Sequence, residues 1–201
     1  MRERIVQDVS ELPTYGFRTR SSPWWGTLGF ISLEGMGFAL AAGAYLYLYY
    51  VSPQWPLGPQ PNHWPATVLT LVLLVSAIPN AWAARDAHNE DLPAVRRDLV
   101  IMCVFGFAAV GIRFYEFTQL GIRWDDNAYG SILWTILGLH AVHLITDLGD
   151  TVVLTVLMFT RHGKGKRFSD VDDNAFYWYF VVLSWLPLYV LLYWFPRWST
   201  S

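Results

Sequence analysis

Five long apolar blocks constrain this chain more than any other feature. A helix needs about 20 consecutive, mostly apolar residues to cross the hydrocarbon core of a bilayer. Blocks of that kind occupy roughly 24–51, 66–85, 95–121, 129–160 and 173–195. The 201 residues are 54% hydrophobic and only 15% charged, where a soluble domain carries about 25% charge. The sequence therefore predicts an all-α integral membrane protein, a bundle of five transmembrane helices. It divides into an N-terminal segment over 1–23, a membrane domain over 24–195 and a short tail over 196–201.

The ends of the blocks carry helix signals. Ser22-Pro23 offers an N-cap and a first-turn proline, and Asp125-Asp126-Asn127 and Asp172-Asp173-Asn174 place capping residues ahead of the fourth and fifth spans. Pro79-Asn80 is expected to kink the second span. The proline-rich stretch from Ser52 to Pro65 reads as an extended surface loop. Trp24, Trp25, Trp55, Trp64, Trp194 and Trp198 suit an interfacial aromatic belt. Gly35, Ala39 and Gly43 recur every four residues on one face of the first span, a spacing that lets another helix approach closely.

Charge orients the bundle. Arg2, Arg4, Arg18 and Arg20 precede the first span, Arg85, Arg96 and Arg97 flank the second connection, and Arg161, Lys164, Lys166 and Arg167 lie in the fourth. Only Arg123 and Arg197 fall on the opposite side, which predicts the N-terminus inside and the C-terminus outside. The first 22 or so residues are polar and do not read as a cleaved signal peptide. A net charge of −2 gives no electrostatic basis for binding nucleic acid. The lone Cys103 excludes an internal disulfide framework and a cysteine zinc site.

The residues that invite a functional reading are the ionisable ones inside the spans: Glu34, Arg113, Glu116, His140, His143, Asp147 and Asp150. Each costs roughly 2.5–3.5 kcal/mol at the bilayer centre unless it finds a partner or a wet cavity. With a rise of about 1.5 Å per residue, Arg113, Glu116 and His140 fall in an outer layer, and Glu34, Asp147 and Asp150 in an inner one, with His143 between. These residues are expected to pair across the first, third and fourth helices. The inner layer carries excess negative charge, so at least one of its carboxyls is expected to be protonated unless His143 is cationic. His140 and His143 stand three apart on one face and cannot both be axial ligands of one heme. A carboxylate metal site in a bundle wants Glu-x-x-His from two helices and more Glu. Hydrogen bonding between helices fits these residues better than metal binding, and a proton or lipid-headgroup role is open.

The fourth block reads GSILWTILGLHAVHLITDLG from Gly130 to Gly149, and the fifth FYWYFVVLSWLPLYVLLYW from Phe176 to Trp194. The first resembles the G-S-x-F-x-x-x-G-x-H-x-x-H-V segment, and the second the W-Y-W-H-F-V-D-x-V-W signature, of subunit III of the heme–copper respiratory oxidases. Tyr115-Glu116 resembles that family's Y-E pair, Glu34 its buried helix glutamate, and Trp178, Phe180 and Trp185 fall on its aromatic motif. Tyr179 and Val182 stand where the family usually has His and Asp, Arg113 where Gln is common, and Asp147 and Asp150 where small or apolar residues are usual. Longer members have seven spans, and this chain resembles the short, five-span forms.

The resemblance implies a supporting subunit with no catalytic residue and no cofactor or metal of its own, heme and copper lying in partner subunits. It implies packing on the catalytic subunit I and on subunit II of a terminal oxidase, bound phospholipid, support of proton uptake, and a multi-pass location in the cell inner membrane. Glu34 would carry the family's intramembrane acid role. An accessory protein of a nitric-oxide reductase system and a stand-alone small transporter or proton channel using Glu34 and Asp147 are the alternatives.

Overall fold

In lipid every backbone N–H and C=O must be satisfied within the protein, which a helix does by itself. The computed structural model describes residues 22–160, 163 and 165–199, and among these every regular element is helical. The elements are α1 (Ser22–Val51), α2 (His63–His88), α3 (Leu92–Thr118), α4 (Ala128–Phe159) and α5 (Lys166–Tyr189). A π-helical turn, Val190–Trp194, and a last short helix, α6 (Phe195–Ser199), continue α5. Five helices are long and apolar enough to cross a membrane, as the five blocks predicted. Ser22, expected as the first N-cap, is instead the first residue of α1, and the basic residues at Arg2, Arg4, Arg18, Arg20, Arg161 and Lys164 lie outside the described residues.

Side-chain caps set three of the starts. Asn62 accepts from the Trp64 N–H (3.1 Å), Asp91 from Ala94 (3.3 Å) and Asn127 from Gly130 (2.9 Å). The expectation for the fifth helix is corrected. It begins at Lys166 behind Gly165, so Asp172, Asp173 and Asn174 lie inside the helix instead of capping it. The added turns are amphipathic: Phe168 and Val171 are buried against Ala83, Leu99, Leu154 and Met158, while charged residues take the other faces. α2 runs unbroken through Pro79.

α2, α3, α4 and α5 form a closed ring in which each helix packs on the next, and α1 lies outside it across α4 and α5. Two indoles pin the ring. Trp178 Nε1 donates to Ser76 Oγ and Trp185 Nε1 to Thr70 Oγ1, both at 2.8 Å, so α5 is fastened to α2 at two points two turns apart. α3 and α4 meet at Gly106, where an added Cβ would lie 2.7 Å from Leu148 Cδ1.

Trp55 departs from the interfacial reading. It is 8% exposed, set edge-on to Tyr45 and Tyr129 at centroid distances of 5.2 and 5.0 Å, with its Nε1 donating to Tyr45 Oη at 3.3 Å. The loop that carries it is tied down by Asn127, which donates to the Leu57 carbonyl, and by Arg197, which donates to that of Pro61. Trp25, Trp64 and Trp198 are exposed. The small-residue stripe meets no helix along most of its length: Gly35 faces Phe180 at 3.8 Å, while Ala39 and Gly43 are exposed.

Candidate functional site

Arg113, Glu116 and His140 come together as one buried cluster. Arg113 is 1% exposed, Glu116 1% and His140 0%. One turn separates Arg113 and Glu116 on α3, so Nη1 reaches Oε2 at 2.5 Å. Nη2 of Arg113 donates to Nδ1 of His140 at 3.0 Å. A guanidinium can only donate, so Nδ1 must accept and the ring proton sits on Nε2, which donates to the Val181 carbonyl at 3.1 Å. That arrangement is the neutral tautomer, and the cluster holds one cation against one anion. The guanidinium also lies over Trp185, 4.1 Å from its ring centroid, and Tyr193 donates its hydroxyl to Glu116 Oε1.

The inner residues meet across α1, α4 and α5. His143 donates from Nδ1 to the Leu139 carbonyl at 2.6 Å, which leaves Nε2 facing Glu34 Oε1 at 3.2 Å. That approach is close but not aligned as a hydrogen bond. Tyr177 donates to the other Glu34 oxygen at 2.7 Å. Asn174 reaches Asp150 at 3.2 Å and Asp147 at 3.5 Å, and accepts from Thr151 at 3.3 Å. Phe38 stands between the two layers, its ring 4.8 Å from His143 and 6.2 Å from His140.

All seven ionisable residues singled out in the spans thus fall into the two expected groups, with His143 assigned to the inner one. α5 and the π-helical turn that continues it, however, supply partners that the sequence did not single out for this role: Asn174, Tyr177, Val181 and Tyr193. Tyr193 sits in the π-helical turn that follows Pro187. No periodicity marks such a turn in advance. Behind two acids, Asn174 carries the sequence pattern of a cap. Tyr179 turns to α2, its hydroxyl 3.4 Å from the Ala77 carbonyl, and Val182 is buried at 3%. Asp147 and Asp150 face Asn174 on α5.

A cavity of about 820 Å³ opens between α1, α4 and α5, with Glu34, His143, Asp147, Asp150 and Tyr177 on its wall. Among the described residues, no group of three or more His, Cys, Asp or Glu is arranged to hold a metal ion.

The sequence matches the family of cytochrome c oxidase subunit III over residues 43–198. The chain belongs to that family. Among its relatives, cytochrome c oxidase subunit 3 of Pongo pygmaeus is 27% identical over 96% of this chain and 76% of its own length. That of Homo sapiens is 25% identical over 85% of this chain and 68% of its own, and that of Locusta migratoria 28% over the same shares.

Within this subunit III chain the motif aromatics are mainly packing and bonding groups. Trp178 and Trp185 are 2% and 0% exposed and carry the bonds to α2. Phe180 lies within 6.1 Å of Phe38 and 6.2 Å of His143. Tyr115 is 58% exposed, so of the Tyr115-Glu116 pair only the glutamate enters the buried cluster.

Proposed function

We infer that this chain is the non-catalytic third subunit of a terminal respiratory oxidase, where oxygen reduction is coupled to proton pumping. It packs on the catalytic subunit I and on subunit II, binds phospholipid, and supports proton uptake in a cell inner membrane, with its N-terminus inside. The observation that carries this reading is the family match over 43–198. The site geometry supports it. Arg113, Glu116 and His140 bond to one another, to Val181 of α5 and to Tyr193 of the π-helical turn, the use expected of residues that hold helices together. Glu34, on the cavity wall beside His143, is the intramembrane acid in this scheme.

Purification in mild detergent from native membranes tests the assignment. The chain is expected to co-isolate with heme-containing oxidase subunits, and its deletion to shorten the time over which the oxidase sustains turnover. A heme-free, self-sufficient homo-oligomer with transport activity would overturn it.

A further inference from the structure

Between His143 and His140 the two polar layers are separated by aromatic rings. The two histidines stand one turn apart on α4, yet neither offers the other a nitrogen. His140 spends Nδ1 on Arg113 at 3.0 Å and Nε2 on the Val181 carbonyl at 3.1 Å. His143 spends Nδ1 on the Leu139 carbonyl at 2.6 Å and turns Nε2 to Glu34 at 3.2 Å. Phe38 lies against both imidazoles, its ring centroid 4.8 Å from His143 and 6.2 Å from His140. Phe180 joins it, 6.1 Å from Phe38 and 6.2 Å from His143. Of the described side chains on α1, only Phe38 and Tyr45 are buried, so the outlying helix reaches into the bundle here.

The layers differ in their surroundings. Glu34, His143, Asp147 and Asp150 line the 820 Å³ cavity, whereas Arg113, Glu116 and His140 are not among its lining residues. The outer three are at most 1% exposed. Dryness matters to them. The attraction between Arg113 and Glu116 weakens as the local dielectric rises. Water beside the pair would also compete for the Arg113 donor that fixes the His140 tautomer. A proton passes between groups along hydrogen bonds or bridging waters, and a buried water needs about two to four polar partners. Phe38 and Phe180 supply none, and His140 has no nitrogen to spare.

We propose that Phe38 is a hydrophobic seal between the cavity and the buried charge cluster. It halts cavity water, and any proton that water carries, at His143, and it keeps Arg113, Glu116 and His140 dry. Phe38 acts by position and bulk, with no chemistry of its own. The proposal does not depend on the oxidase assignment, because it is read at the chain's own imidazoles and not by turnover.

The test uses the full chain in the assembly with which it purifies. Deuterium exchange at the imidazole C2 position, followed by mass spectrometry, reads water access at each histidine. In wild type, His143 is expected to exchange, and His140 to exchange roughly tenfold more slowly or less. Phe38→Ser opens the junction and adds a polar group, and is expected to raise exchange at His140 by roughly tenfold or more. Phe38→Leu keeps most of the apolar bulk and is expected to leave His140 near its wild-type rate. Leu99→Ala opens a cavity in the separate core around Ala83 and Phe168, and is expected to leave His140 protected. The wild-type comparison of the two histidines decides the matter even where Phe38→Ser fails to assemble. Exchange of His140 at the His143 rate in wild type, no rise in an assembled Phe38→Ser, or an equal rise in Phe38→Leu or Leu99→Ala overturns the proposal.

Discussion

Arg113 Nη2 and His140 Nδ1, 3.0 Å apart, join α3 to α4 inside the bundle, and the remaining nitrogen of the same imidazole joins α4 to α5 through Val181. One neutral histidine therefore links three helices, and the Arg113–Glu116 pair supplies the donor that fixes its tautomer. Breaking such a pair on one side leaves a buried charge without compensation, at a cost of about 3–5 kcal/mol. Arg113→Leu should destabilise by that order in detergent unfolding. The double variant Arg113→Leu/Glu116→Leu should lose clearly less than the sum of the two single changes. Strict additivity would mean that the pair is not coupled.

The two indole bonds differ in a way that ranks their variants. Trp178→Phe removes the donor to Ser76, and Trp185→Phe the donor to Thr70, each leaving a hydroxyl oxygen without its indole donor at about 1–3 kcal/mol. Trp185 also stacks under the Arg113 guanidinium. Trp185→Phe should therefore be the more destabilising, with the gap closing in the Arg113→Leu background. Unfolding midpoints of the four proteins decide it.

Glu34 accepts from Tyr177 and faces His143. Glu34→Gln keeps an oxygen for the Tyr177 hydroxyl, so its cost should stay below about 1 kcal/mol. Glu34→Leu leaves both partners unmet and should cost about 1–3 kcal/mol. Thermal unfolding of the two variants, with Tyr177→Phe as the reciprocal change, gives the comparison.

Two glycines permit close approach for different reasons. At Gly130 an added Cβ would lie 2.2 Å from the Arg123 carbonyl oxygen, which is backbone and yields only if the loop moves. At Gly106 it would meet the end of the Leu148 side chain, which can rotate. Gly130→Ala should therefore cost more than Gly106→Ala, on the scale of about 1–3 kcal/mol typical of overpacking. Expression level and melting temperature in detergent are the measurements, and the reverse order would contradict the explanation.

Much of the architecture was legible because hydrophobic length is a local property. Each apolar block is long enough to declare itself a span without reference to its neighbours, and Asn127 caps the fourth helix within three residues of its own position. The sorting of buried charges into two layers was legible for a related reason: depth along a straight helix follows from residue count alone. The start of the fifth helix is not legible in the same way, because Asp170, Asp172 and Asp173 mimic the edge of an apolar span. In fact the helix continues beyond the apolar block, and Phe168 and Val171 hold it there. Trp55 was misplaced because its buried environment is built by Tyr45 and Tyr129, residues 10 and 74 positions away in the chain.

By itself, then, the sequence determined that this chain has five blocks long and apolar enough to cross a membrane, which residues are too polar to be left alone there, and which family its motifs resemble. Only the tertiary structure decided who their partners are. Arg113 settles on His140 and Trp185, Glu116 takes the Tyr193 hydroxyl from the π-helical turn, and Asn174 turns inward between two aspartates. The physical reason is rotation. Residue count gives a side chain's height along its helix axis, but the direction it faces depends on how neighbouring helices pack, and a hydrogen bond requires both.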